Sequence, residues 1–311
     1  MENNHRLCRT RSIALDHNWH YVFVMSPRLG DSLLSMVIVH NLLRHGYRID
    51  VVSDQIYALR RWFPNVRVIP APQLGEATQF LSAFDMILHA YQADKMSNAP
   101  DVAKKSIVLD ELPVYRQIKN MVDIQVDVCR YHFGLANTVR TNGMRKNIGP
   151  RKRLQTQVLI HPLASDKQKS WVPMRFVRLA LQLRKLGFES EFLVLPSELD
   201  NWKWLEGYGL RVCAYPSLDA VAARIIKSGW VIGNDSGIGH LASSLGIPTV
   251  SLAMRPSIAK RWQPGWAPSR VIIPPPVLPG RWLKEKSWKY LVSPSRVLAG
   301  FEALRLDCCC R

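Results

Sequence analysis

Four short segments of this 311-residue chain combine small residues with acids, hydroxyls or lysines in patterns that suit phosphate and hydroxyl chemistry. The first, Ser26-Pro27-Arg28-Leu29-Gly30-Asp31, directly follows an apolar run. Gly30 permits a tight turn, and Asp31 falls where a helix should begin. An aspartate there either caps the helix or faces a ligand crevice and takes a proton from a hydroxyl nucleophile. The second segment runs from His161 through Ser165, Asp166, Lys167 and Lys169 to Trp171. Lys169 can neutralise charge building on a departing phosphate; a solvated lysine pair on an ordinary loop is the alternative. The third, Gly233-Asn234-Asp235-Ser236-Gly237-Ile238-Gly239-His240, puts three glycines in seven residues between an expected strand and helix. Small residues let a ligand approach the backbone, and the amides and dipole of a helix start attract phosphate. It is neither GxGxxG nor a Walker loop, and a capped strand–helix turn is the competing reading. In the fourth, Leu195-Pro196-Ser197-Glu198, the acid can hold ribose hydroxyls or be a surface glutamate.

Positioning these segments falls to alternating apolar runs and amphipathic stretches, the pattern of parallel α/β sheets. His20–Met25 reads as a first buried strand and Ser32–His45 as the helix after it, stopped by Gly46. Further strands are expected at 49–53, 66–69, 86–89 and 106–109, and a helix over 115–133. Residues 140–153 (RTNGMRKNIGPRKR) hold six basic residues, no acid, two glycines and a proline, and mark the domain boundary. The cycle restarts with strands at 157–161, 191–195, 230–233 and 249–253 and helices at 176–186, 218–227 and 237–245. A final helix is expected over 294–306. Two open α/β domains place ligands at the carboxyl ends of their strands, where all four segments sit.

Composition bounds the partners. The net charge is +18, with 18 Lys+Arg against 13 Asp+Glu in residues 1–150 and 24 against 11 in 151–311. A field of this size favours nucleic acid, acidic lipid or a phosphorylated substrate. Trp262, Trp266, Trp282 and Trp288 lie among basic residues; such aromatics stack on bases, anchor at lipid headgroups or fill a core. The motifs cluster at strand ends rather than along a basic stripe, which argues against nucleic acid. None of the six cysteines forms a CxxC pair with His partners, so no zinc site is expected. Scattered thiols suit a reducing cytoplasm. No run of about 18 apolar residues exists, and the polar first 20 residues lack a secretory pattern.

Together these residues resemble the lipopolysaccharide heptosyltransferases, glycosyltransferase family 9. Gly233–His240, continued by Leu241–Val250 (LASSLGIPTV), is similar to that family's donor-site signature. Arg28-Leu29-Gly30-Asp31 resembles its acceptor-side motif, and Lys169 with Trp171 its Lys-x-Trp pattern. The resemblance implies a GT-B architecture, two Rossmann-like domains facing each other across a cleft. It implies an N-terminal extension over 1–18, an acceptor-binding domain over 19–150, a nucleotide-sugar-binding domain over 151–292, and a helix and tail over 293–311. It implies an inverting transfer of heptose from ADP-heptose to the lipopolysaccharide core. Asp31 would be the general base, and Lys169 would stabilise the diphosphate leaving group. Ser165, Lys169, Glu198, Asp235, Ser236, Gly237 and His240 would bind the donor. No metal and no cofactor beyond the nucleotide-sugar co-substrate is implied. The expected partners are an anionic glycolipid acceptor and the inner-membrane surface, met from the cytoplasm. Another nucleotide sugar or a protein acceptor is the alternative, because Ala253-Met254-Arg255-Pro256-Ser257 stands where the family usually carries a Phe-Gly-Pro-Thr-like segment. Arg255 could add a phosphate contact there.

Overall fold

The computed structural model describes residues 12–73, 75–146, 154–276 and 281–310. Cys8 and residues 147–153 of the expected linker lie outside them. The chain divides into two compact units, residues 1–145 and 146–311.

The first unit carries strands β1 (His20–Val24), β2 (Arg48–Val52), β3 (Arg67–Ile69), β4 (Met86–His89) and β5 (Ser106–Val108). All pairs are parallel, in the order β3-β2-β1-β4-β5. Strand β1 is central, and Tyr21–Val24 are buried without alternation, as a strand covered on both faces requires. The helix Leu29–Arg44 follows and buries Leu33, Leu34, Val37 and Ile38. Gly46, at φ +82°, turns the chain out of that helix in the left-handed region.

One sequence expectation changes here. Residues 115–133 are not one helix: Pro113–Arg116 form a 3₁₀ turn, and a new helix starts at Met121. Asn120 is the reason, because its Oδ1 accepts the Val122 N–H at 3.0 Å and so satisfies the first free amides of a separate helix. Val128–His132 continue it as a single π-helical turn. The division between the two units, after Arg145, falls inside the basic stretch 140–153, and Val139 with the first residues of that stretch packs on the first unit. The Val139 N–H donates to Asn41 Oδ1 (2.8 Å), buried Asn142 donates to the Leu33 carbonyl (3.3 Å), and the Arg145 N–H donates to the Trp62 carbonyl (2.8 Å).

The second unit carries β6 (Leu154–His161), β7 (Glu189–Val194), β8 (Arg211–Ala214), β9 (Ser228–Asn234), β10 (Thr249–Leu252) and β11 (Ser269–Ile272). These form one parallel sheet ordered β11-β10-β9-β6-β7-β8. Its core joins Phe176, Leu179 and Leu183 of the helix Pro173–Lys185 to Val297, Phe301 and Leu304 of the helix Pro294–Cys309. Gly233 lies opposite His161, and a Cβ there would sit 2.6 Å from the His161 carbonyl oxygen. Only glycine lets β6 and β9 approach this closely. Among the described residues, no helix is long and apolar enough to cross a membrane.

Each sheet is filled outward from its first strand in one direction and then in the other. The order reverses between β1 and β4 in the first unit, and between β6 and β9 in the second. Such a reversal splays the following loops apart and opens a crevice at the carboxyl ends of the strands.

Candidate functional site

In the first unit, Asp31 is the third residue of the helix that follows β1. The N-cap is Arg28, whose side chain makes no capping bond, so Asp31 is not the capping residue. The Asp31 side chain is nonetheless buried. Tyr91, just after β4, donates its hydroxyl to Asp31 Oδ1 at 3.2 Å, and Arg28 Nη1 stands 3.7 Å from Oδ2. Asp31 and Tyr91 thus come from the two strands that flank the reversal. Burial pushes the Asp31 carboxyl above its ordinary pKa; Arg28 and the Tyr91 hydrogen bond pull it back, and Asp94 adds to the rise. A carboxylate so placed is a better proton acceptor than one in water. Its loop is braced from below: Ser32 Oγ donates to the Ser26 carbonyl at 2.6 Å, and Ser53, after β2, lies 3.5 Å from Ser32 Oγ.

In the second unit, the segments after β6 and β9 meet across the other reversal. The loop after β6 leads through exposed Ser165 to a 3₁₀ turn, Lys167–Lys169, with Lys169 half-buried. Trp171 at its end is fully buried and donates Nε1–H to the Val292 carbonyl at 3.0 Å. Trp288 donates Nε1–H to the Gln168 carbonyl at 2.8 Å. Buried Trp288 is therefore a core residue that holds this loop, while Trp262 and Trp266 are half-buried and the side chain of Trp282 lies outside the described residues. A cavity of about 360 Å³ opens beside the loop, lined by Gln168, Glu285, Lys286 and Lys289.

After β9, Asp235 donates its backbone N–H to the Leu252 carbonyl at 3.1 Å, and the helix Gly237–Ser244 begins. Ser236 is the N-cap residue in extended backbone, yet its side chain does not cap. Ser236 Oγ and His240 Nδ1 are buried atoms without a hydrogen-bond partner among the described residues. Native proteins seldom leave such atoms unpaired, so both suit a ligand that supplies the missing bonds. Burial pushes His240 down to about 4, which keeps its ring neutral at pH 7. His161, at the end of β6, is likewise pushed to about 4 by burial, and its Nδ1–H donates to the Leu193 carbonyl at 2.9 Å.

Ser165, Lys169, Asp235, Ser236, Gly237 and His240 therefore gather at the ends of two adjacent strands. Glu198 follows β7, the neighbour of β6 on the other side, and accepts from Asn201 Nδ2 at 3.3 Å. Arg255 is engaged with Glu285 at 3.3 Å. Tyr91 was not among the sequence candidates. The available signal was its place two residues beyond a strand that, in this topology, lies beside β1. Among the described residues, no group of three or more His, Cys, Asp or Glu is arranged to hold a metal ion.

The model of glycosyltransferase family 9 (heptosyltransferase) matches residues 96–274, a span that contains Ser165, Lys169, Glu198, Asp235, Ser236, Gly237 and His240 and begins after Asp31. A glycosyltransferase family 9 protein from Veillonella parvula is similar in structure, with a TM-score of 0.71 and 16% identity over 96% of this chain and 100% of that one. E. coli heptosyltransferase WaaC with ADP-2-deoxy-2-fluoro heptose is similar at a TM-score of 0.70 and 17% identity, over 91% and 99% of the two chains. E. coli ADP-heptose lps heptosyltransferase II reaches 0.69 and 17% over 93% and 99%. No curated protein matches the sequence. Likeness at these identities is likeness of fold, and the fold is GT-B.

Proposed function

The chain belongs to glycosyltransferase family 9 and is a glycosyltransferase, and we propose that it moves a heptose from ADP-heptose to the lipopolysaccharide core with inversion at the anomeric carbon. The observation that carries this reading is the convergence of Ser165, Lys169, Asp235, Ser236 and His240 at the strand-order reversal of the second unit, with two buried polar atoms left for a ligand. In the proposed reaction the acceptor hydroxyl oxygen attacks the anomeric carbon while the bond to the diphosphate oxygen breaks. Asp31 takes the hydroxyl proton. ADP leaves with the bonding electrons, and Lys169 and the amides that start the helix at Gly237 offset its growing charge. Ser165, Asp235, Ser236, Gly237 and His240 hold the phosphates and sugar, and Glu198 contacts the ribose. The reaction as proposed draws on these side chains, the helix-start amides and the nucleotide-sugar co-substrate. The acceptor is an anionic glycolipid, and the charge of residues 151–311 draws the protein from the cytoplasm to the inner-membrane surface.

The test is acceptor-dependent release of ADP from ADP-heptose, with a mass gain of one heptose on a heptose-free lipopolysaccharide acceptor. Turnover of a different nucleotide sugar and none of ADP-heptose would overturn the donor and leave the family intact. That second reading has one observation behind it, the Ala253–Ser257 segment, where Arg255 is paired with Glu285. A thermal-shift panel of nucleotide sugars separates the two, because a ligand that binds the native state raises the melting temperature.

Tyr91 supplies a sharper test of the base. Its hydrogen bond favours the ionised carboxylate, so Tyr91→Phe removes that preference and raises the Asp31 pKa further. The acid limb of the kcat/KM profile is expected to move up by about one pH unit. An unmoved limb means that Tyr91 does not touch the group that titrates.

A further inference from the structure

One side chain joins the two halves of the second unit's site. Asn234, the last residue of β9, is 1% exposed. Its Oδ1 accepts the Trp171 N–H at 3.0 Å, and its Nδ2 donates to the Pro162 carbonyl at 2.6 Å. Those partners bracket the loop that carries Ser165 and Lys169. The next residues after Asn234 are Asp235 and Ser236. The bonds therefore run across the strand-order reversal, from the turn after β9 to both feet of the loop after β6.

The chemistry of the two partners fixes the amide. A backbone N–H needs an acceptor and a carbonyl needs a donor. The site thus needs one acceptor and one donor on a short planar group. Aspartate has the same shape but no donor, and would set an oxygen against the Pro162 carbonyl. Alanine offers neither bond. Both partner groups are in buried residues, so each would lose its bond with no water to replace it.

We infer that Asn234 is a positioning residue that sets the separation between the Ser165–Lys169 loop and the Asp235–Gly237 turn, and so fixes Lys169 over the diphosphate of the donor. It touches no substrate and acts through the loop. The inference rests on the donor-binding role proposed above for these two segments.

The experiment measures ADP binding to the full chain by calorimetry for wild type, Lys169→Ala, Asn234→Asp and the double variant. Wild type is expected to bind ADP, and each single variant to bind it about 10- to 100-fold more weakly. The double variant is expected to be hardly weaker than Lys169→Ala alone, because a loop without its lysine gains little from being placed. If wild type does not bind ADP, or Lys169→Ala binds as wild type does, the donor-site reading fails and takes the inference with it. If Lys169→Ala is weakened and Asn234→Asp binds as wild type does, only the inference fails. Additive losses in the double variant also overturn it, since they describe a residue that acts on the fold and not through Lys169. Asn234→Ser, whose hydroxyl is a shorter donor and acceptor, replaces Asn234→Asp in the same cycle if the latter does not fold. Failure of both to fold counts against a positioning role.

Discussion

Replacing Asp31 with asparagine is expected to lower kcat by about 10²–10⁴-fold, the contribution of a positioned general base, with ADP affinity and melting temperature close to wild type. The structure separates these outcomes. Asparagine is isosteric, and Tyr91 can still donate to its Oδ1 as it does to the carboxylate. Losing the negative charge near the helix start costs about 0.3–1 kcal/mol. Against that stands the burial that raises the Asp31 pKa. A carboxyl whose pKa is higher in the folded than in the unfolded chain destabilises the folded state at pH values above both, where it is ionised. The neutral amide removes that term. A residue conserving activity at the expense of stability leaves this signature: activity collapses while the fold holds or tightens. The wild-type acid limb, which should lie above the ordinary carboxylate range, should also vanish from whatever activity remains. Steady-state kinetics across pH and a melting curve at pH 7 are the two measurements. Turnover near wild type would remove Asp31 from the base role. A large fall in melting temperature would mean that the carboxylate is structural.

Position at strand ends explains why some parts of the candidate site were readable from sequence and others were not. Asp31, Lys169 and the Gly233–His240 turn announce themselves because strand-end loops are local. A buried run such as His20–Val24 or Ser228–Asn234 points straight at the residues that follow it. Tyr91 and the bracing role of Asn234 depend instead on which strands are neighbours. Tyr91 matters because β4 lies beside β1, and Asn234 because β9 lies beside β6. Strand order is a long-range property that local pattern does not contain. The elements the pattern missed have a related cause. Strands Arg211–Ala214 and Ser269–Ile272 are sheet edges, only half-buried, so they show no continuous apolar run. The stretch from Arg140 reads as a linker by its charge and glycines. Its first part is nevertheless held by Asn142, whose partner Leu33 is 109 residues away in sequence. The break before Met121 had a local signal, since Asn120 is a strong N-cap residue.

Glu191→Ala is expected to destabilise the second unit by about 3–5 kcal/mol, the usual cost of removing one partner from a buried ion pair. Glu191 lies in β7, an inner strand of the sheet, and its side chain is 3% exposed. Arg224 reaches it with two nitrogens, at 3.1 and 2.9 Å. The Cys213 thiol donates to it at 2.7 Å and the Tyr215 hydroxyl at 3.1 Å. Burial alone would raise the Glu191 pKa. The Arg224 and Cys213 hydrogen bonds, the Arg224 charge and the Tyr215 hydroxyl outweigh it, and the carboxyl lies below its usual range. Its stabilisation is therefore present above the unfolded-state pKa and fades as pH falls through the lower, folded-state value. Truncation leaves a guanidinium, a thiol and a phenol facing an empty site. The thiol is no nucleophile in reserve, because burial and the Glu191 carboxylate push Cys213 up to about 12. Calorimetry should show a transition lowered by on the order of 10 °C. The pair need not be favourable in itself for this to hold. A buried ion pair replaced as a whole by apolar groups of similar size is often neutral in stability, so Glu191→Met with Arg224→Met should recover much of the loss. A double variant as unstable as Glu191→Ala would mean that the carboxylate matters mainly to Cys213 and Tyr215, and an unshifted transition in Glu191→Ala would remove the network from the stability of this unit altogether.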